Sequence, residues 1–171
     1  MSVVVALAHK GKIYIASDGR ACLEGRLVSD TIEKVSVDKK NQVAVGAVGD
    51  LNEVQRIMLG LESGEITIGP DQGKFVVNDQ GVRIGNTNSI VCIKNLGGKP
   101  VIATRDAGGG IIDREVYACI GDGNEVAAGV IEMAYRRGLV DKDPKAVVRQ
   151  AVEIAAKLSV YCGGKIRTYV L

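Results

Sequence analysis

Ser2 follows Met1 directly, and a residue this small permits removal of the methionine. A serine at a chain end carries nucleophile and base on one residue: the hydroxyl attacks a carbonyl and its own α-amine takes the proton. An α-amine titrates near ~7.7–8.0, so roughly a sixth of it is neutral at pH 7. A nearby cation disfavours the ammonium, and lowering that pKa by one unit makes about half of it a competent base. A lysine suits this task if a carboxylate fixes it in place. Such a site needs neither histidine nor metal. The chain has a single histidine, His9. A Ser-His-Asp or Cys-His enzyme would have to use it, and HExxH or His-rich zinc sites are impossible. Standing at the end of an apolar run, His9 reads as a surface turn residue.

Other chemistries find little support. Gly121-Asp122-Gly123 is followed by Val126 where a dinucleotide loop needs a third glycine, and neither a GxxxxGK[ST] cradle nor an EF-hand loop occurs. Cys22, Cys92, Cys119 and Cys162 form no CxxC pair, which removes the common zinc and thioredoxin-like signatures. Cys92 and Cys119 sit inside apolar runs and read as small core residues in a reducing cytosol. No metal and no cofactor are expected. A net charge of +2, with both signs spread along the chain, gives no basic stripe for nucleic acid. The longest apolar run, Val3–Ala8, is too short for a signal-peptide core or a bilayer span, so a cytoplasmic protein is expected.

The length of 171 residues fits one domain, 1–171, and 46% hydrophobic with 25% charged residues fits a chain with a real core. Val3–Ala8 and Ile13–Ser17, joined by HKGK, suggest a hairpin. Lys34–Val37 and Gln42–Val48 suggest another around DKKN. Asp50 then opens a helix with Leu51, Val54, Ile57, Met58 and Leu61 at helical spacing, and Asp50 with Glu53 makes a capping box. Residues 63–88 lack helical period and read as short strands and turns. Ser89–Lys94, Pro100–Thr104 and Glu115–Ile120 resemble central strands. A helix follows from about Asn124 to Arg137, with Val126, Val130, Ile131 and Ala134 on one face. A second starts at Asp143-Pro144, a good N-cap with proline at the first helical position. It turns Val147, Val148, Ala151, Val152, Ala155 and Leu158 inward, Gly163-Gly164 ends it, and Lys165–Leu171 returns as a strand. Strands then a helix, strands then two helices, is an α+β pattern: two antiparallel sheets with helices stacked outside.

The opening SVVVALAHKGKIYIASDGR, then TIEKV and VAVGAVGD, resembles the proteasome-type N-terminal-nucleophile hydrolases, and among them the HslV-type peptidase subunit. In that family a nucleophile, an aspartate, a lysine and an oxyanion-hole glycine fall at fixed spacing. Ser2, Asp18 and Lys34 stand sixteen apart and Gly46 twelve further on, which matches that spacing without a gap. Given this composition, Asp, Lys and Gly would meet three preset positions by accident roughly once in two thousand. The resemblance implies a four-layer αββα sandwich, with the second helix of the first layer replaced here by the strands and turns of 63–88. It implies Ser2 as nucleophile with its amine as base, Lys34 as the tuning cation, Asp18 as its holder and the Gly46 N–H as oxyanion donor. The wall of the first specificity pocket would include Ala21, Cys22, Ile32, Ala44 and Val48, which points to apolar substrate side chains.

Three departures matter. Serine replaces the usual threonine and keeps the mechanism. The family's Gly-Ser-Gly is Gly121-Asp122-Gly123 here, while the aspartate and serine of its D-x-x-S-G-G segment are Ser159 and Cys162. Asp122 has two readings: a helix N-cap in a capping box with Glu125, or half of an exchange in which its carboxylate and the Ser159 hydroxyl keep a hydrogen bond beside the Ser2 amine. Third, residues 63–88 replace a helix through which family rings pack. The resemblance implies a polypeptide substrate, a homo-oligomeric ring and an ATPase unfoldase partner, with no nucleic acid and no membrane; the ring geometry and docking surface stay open. The leading function is a peptidase working through an acyl-enzyme on Ser2. The rivals are an amidase or acyl transferase acting on a small amide, and a non-catalytic scaffold or gate subunit.

Overall fold

The structure is a computed structural model that describes residues 2–71, 74–78, 87–96, 98–114 and 116–171. In chain order the strands are β1 (Val3–His9), β2 (Lys12–Ser17), β3 (Ala21–Leu23), β4 (Arg26–Ser29), β5 (Val35–Asp38) and β6 (Val43–Gly49). Helix α1 (Leu51–Ser63) leads to β7 (Thr67–Asp71), β8 (Lys74–Asn78), β9 (Thr87–Leu96), β10 (Lys99–Arg105), β11 (Ile111–Arg114) and β12 (Tyr117–Gly121). Then come α2 (Asn124–Arg136), the single turn α3 (Leu139–Lys142), α4 (Pro144–Leu158) and β13 (Arg167–Val170).

Two antiparallel sheets carry the fold, one in the order β12-β1-β2-β13 and the other β11-β10-β9-β6-β5. Their layering follows from the alternation of side chains along each strand. In β1, Val3, Val5 and Leu7 pack with α2 and α4, while Val4 and Ala6 face the other sheet. In β6, Val43, Val45 and Ala47 pack with α1, while Ala44 and Val48 face β1. Both central strands are therefore apolar on both faces, and the order α1, sheet, sheet, α2 with α4 is the expected αββα sandwich.

The helices form where the apolar period and the caps coincide. The Asp50 carboxylate accepts from the Asn52 and Glu53 N–H groups and starts α1, which buries Val54, Ile57 and Met58 and ends at Gly64 in the left-handed conformation. The Glu53 side chain turns away from its own cap and accepts from the Thr87 hydroxyl at 2.7 Å. Asp143 caps α4 through the Ala146 N–H with Pro144 behind it, and Val147, Val148, Ala151, Val152 and Ala155 are buried. Leu158, expected on that face, is 72% exposed because the helix ends there, one residue before Ser159 turns extended. Gly163 and Gly164 lie beyond the helix stop, in the loop leading to β13.

β7 and β8 pair as a hairpin from Thr67↔Asn78 to Asp71↔Lys74, as the lack of helical period over 63–88 suggested; residues 79–86 of that stretch lie outside the described residues. His9 is less superficial than expected. Its side chain is 16% exposed, and Nε2 lies 3.4 Å from Asp141 of α3. Among the described residues no helix is long and apolar enough to cross a membrane.

Candidate active site

Ser2 sits at the start of β1, where the two sheets come together, and is buried. Its N–H donates to Asp122 Oδ2 at 3.2 Å. The neighbouring Gly121 has φ 94°, and a Cβ there would fall on the Ser2 carbonyl oxygen. Only glycine lets β12 run this close to the serine.

Asp18 follows β2 and is fully buried. Its Oδ1 accepts from the Val3 N–H at 3.0 Å and from Lys34 Nζ at 2.7 Å, and its Oδ2 accepts from the Gly163 N–H at 2.9 Å. Three donors, one of them charged, compensate a carboxylate taken wholly out of water. Lys34, immediately before β5, is 3% exposed and donates also to the Arg20 carbonyl at 2.6 Å. Burial pulls the Lys34 pKa below the ordinary lysine value, and the Asp18 carboxylate opposes this only in part. The structure thus brings Ser2, Asp18 and Lys34 together: the lysine and the amide next to the serine share a single carboxylate oxygen.

Gly46 behaves differently. A Cβ there would lie 2.5 Å from Val4 Cγ1, so glycine is required where β6 crosses β1. Its N–H, however, has a place in the ladder. The Lys94 N–H donates to the Gln42 carbonyl at 3.0 Å and the Ala47 N–H to the Lys34 carbonyl at 2.9 Å. With β6 and β9 paired without a shift from Val43↔Ile93 to Gly49↔Thr87, this alternation turns the Gly46 N–H toward β9, opposite Ile90.

Two cavities meet at the serine. A small one of about 20 Å³ is lined by Ser2, Ala21, Cys22, Ile32, Lys34 and Gly49, with Leu51 and Val54 from α1. A larger one of about 580 Å³ runs past Ser2, Val48, Gly49, Asn88, Cys119, Asp122 and Asn124. Ala21, Cys22 and Ile32 thus share the lining of the small cavity. Val48 belongs to the larger cavity, and Ala44 to neither: it packs in the core between the sheets. Cys119 packs against the core cluster, as expected, and also borders the larger cavity, with its thiol pushed up to about 12 by burial.

Of the two readings of Asp122, the N-cap fails, because α2 begins after Gly123 with no side-chain cap. The exchange with Ser159 also fails as a direct bond. The Ser159 hydroxyl accepts from the Tyr161 N–H at 3.3 Å and interacts with the buried Cys162 thiol, and it makes no contact with Asp122. The carboxylate accepts from the Ser2 N–H.

Gly163 and Gly49 were not expected at the site. Gly163 was legible only as part of a helix stop, although the D-x-x-S-G-G segment that contains it was a usable signal. Gly49 carried none beyond its place before a helix cap. Among the described residues, no group of three or more His, Cys, Asp or Glu could hold a metal ion.

Two facing antiparallel sheets between helical layers, with the first strand opening at the junction of the cavities, define the proteasome-type N-terminal-nucleophile hydrolase fold. Thiobacillus denitrificans BPH, solved in complex with epoxomicin, superposes with a TM-score of 0.75 at 18% identity over 99% of this chain and 97% of that one. The eukaryotic HslV from Trypanosoma brucei gives 0.69 at 18% identity over 99% and 98%. In sequence the chain is 24% identical to proteasome subunit beta 1 of Thermococcus kodakarensis, over 96% of this chain and 85% of that protein. It is 25% identical to the ATP-dependent protease subunit HslV of a Sulfurihydrogenibium species, over 94% and 90%. The proteasome subunit family profile matches residues 78–171. The chain belongs to the proteasome subunit family.

Proposed function

We propose that this protein is an N-terminal-nucleophile peptidase that hydrolyses peptide bonds through an acyl-enzyme on Ser2 after Met1 is removed. The observation that carries the reading is the Asp18 Oδ1 atom, which accepts from both Lys34 Nζ and the Val3 N–H. It fixes a buried cation beside the residue whose amine must act as base. In the first half-reaction the Ser2 hydroxyl adds to the scissile carbonyl, its proton passes to the α-amine, and the amine returns it to the departing substrate nitrogen. Water then repeats the sequence against the ester and frees Ser2. Lys34 supports this by disfavouring a positive charge on the amine, and Asp18 by holding Lys34. On this reading the subunits assemble in a homo-oligomeric ring in the cytoplasm, and an ATPase delivers polypeptide to it, in line with the similarity to an ATP-dependent protease subunit.

One observation favours a second reading, the silent scaffold subunit. Asp122 lies against the Ser2 nitrogen, and a carboxylate there favours the ammonium, the form that cannot accept a proton. Intact mass and activity separate the two. The peptidase reading expects protein from its native host to lack Met1 and to cleave a fluorogenic peptide, with cleavage abolished in Ser2→Ala. Retained methionine, or turnover that survives Ser2→Ala, contradicts it.

A further inference from the structure

We infer that the larger cavity beside Ser2 receives the leaving side of the substrate, and that Asp122 selects a lysine or arginine side chain there. The inference rests on the peptidase reading and adds to it a preference for one class of residue after the scissile bond.

Proton traffic fixes which side is which. The departing substrate nitrogen takes its proton from the Ser2 amine, so it has to lie within hydrogen-bond reach of that nitrogen. The Ser2 nitrogen lies 3.2 Å from Asp122 Oδ2, and Asp122 lines the larger cavity and not the small one. The acyl side therefore falls toward the small cavity and the leaving side toward the larger one. At about 580 Å³ the larger cavity has the size of an ordinary ligand pocket, about 300–1,000 Å³, and a substrate chain continuing past the cut has room in it.

Charge divides the two cavities as well. On the small side, Arg20 and Lys34 each have a carboxylate partner, Asp30 at 2.9 Å and Asp18 at 2.7 Å. Among the described residues lining the larger cavity, Asp122 is the one with a formal charge, and the amides of Asn88 and Asn124 stand with it. Asp122, Asn88 and Asn124 are all exposed, so a substrate side chain reaches them from solvent. A carboxylate offers several acceptor sites on its two oxygens, so holding the Ser2 nitrogen does not bar Asp122 from taking a cationic side chain.

A lysine or arginine in that place does more than bind. At the Ser2 amine, Lys34 opposes the ammonium, with Asp18 holding it, and Asp122 favours the ammonium. The thiols of Cys22, Cys119 and Cys162 complete the surroundings, and burial pushes the last two up, so that they stay protonated. A substrate cation against Asp122 offsets the pull of the carboxylate and lets the amine shed its proton to water. The side chain that is selected thus also frees the base.

The test compares three internally quenched peptides that differ only in the residue after an alanyl scissile bond: lysine, norleucine or glutamate. Met1-free protein should cleave the lysine peptide about two- to fivefold faster in kcat/KM than the norleucine peptide, with glutamate slowest. The acid limb of the kcat profile should lie at lower pH for lysine than for norleucine, by up to about one unit. Raising the salt concentration should shrink the preference. Asp122→Asn should bring the three rates together, and the comparisons within the wild type decide the question even if that variant fails to fold. Equal rates for lysine and norleucine, coincident acid limbs, or a lysine preference that survives Asp122→Asn each overturn the assignment and leave the peptidase reading intact. Cleavage of none of the three peptides by the Met1-free protein overturns both.

Discussion

Lys34 Nζ lies 2.7 Å from Asp18 Oδ1, with the two side chains 4% and 0% exposed. Removing one partner of a buried pair strands the other charge, which costs about 3–5 kcal/mol. Lys34→Met is therefore expected to lose about that much stability in urea denaturation and to lose peptidase activity as well. Stability within about 1 kcal/mol of wild type together with full activity contradicts the role given to the pair.

The same pair has a pH signature. Burial holds Lys34 below its ordinary 10.5, so the native protein gives up this proton at a lower pH than the unfolded chain does. The unfolded state then binds more protons across that interval, and the Lys34 contribution to stability rises with pH from the lowered native pKa up to 10.5. Subtracting the Lys34→Met profile from that of wild type isolates this rise from the titrating tyrosines. A flat or falling difference contradicts it.

Asp122 sets the amine against its own catalytic task. Its carboxylate favours the ammonium of a liberated Ser2, so Asp122→Asn should move the acid limb of the kcat/KM profile to lower pH, by up to about one unit. An alkaline shift means that the carboxylate serves the base rather than restraining it.

Gly121 and Ser2 leave no space between them. Gly121→Ala forces a methyl group onto the Ser2 carbonyl and displaces the nucleophile. A misplacement of about 1 Å costs about 10²-fold in rate, and a loss of at least this size in kcat is expected. Activity close to wild type contradicts the placement of Ser2.

The small cavity of about 20 Å³ has room for little more than a water molecule. Substrates with alanine before the scissile bond should outpace those with leucine or phenylalanine in kcat/KM. Ile32→Ala, by opening that wall, should narrow or reverse the preference. Unchanged selectivity in the variant locates the specificity pocket elsewhere, with the 580 Å³ cavity the next candidate.

The sequence displayed the frame well because long apolar runs buried on both faces, such as Val3–Leu7 and Val43–Val48, have few alternatives to a central strand. The helices were legible for a related reason: their caps at Asp50 and Asp143 are local chemistry. The β3–β4 hairpin was not. It turns at Glu24 and Gly25, both at positive φ, and leaves Leu23, Leu27 and Val28 exposed, so no buried period marked it. At the site, the sixteen-residue spacing of Ser2, Asp18 and Lys34 was legible because each stands at the entrance or exit of a strand: Ser2 before β1, Asp18 after β2 and Lys34 before β5. For Gly46, spacing records which residue is present and not which way its N–H points. That depends on pairing with β9, more than forty residues later. Asp122 looked like a cap because Glu125 follows three residues on, and only the fold brings it 120 positions back to Ser2.

Treatment of the native-host protein with a peptide epoxyketone, followed by intact-mass and fragment analysis, probes hydroxyl and amine together. The ketone is captured by the hydroxyl and the epoxide is opened by the amine, so a Met1-free chain should gain the whole inhibitor mass, cyclised on Ser2. Labelling that persists in Ser2→Ala, or a chain that keeps Met1 and stays unmodified, would show that this serine is not the nucleophile.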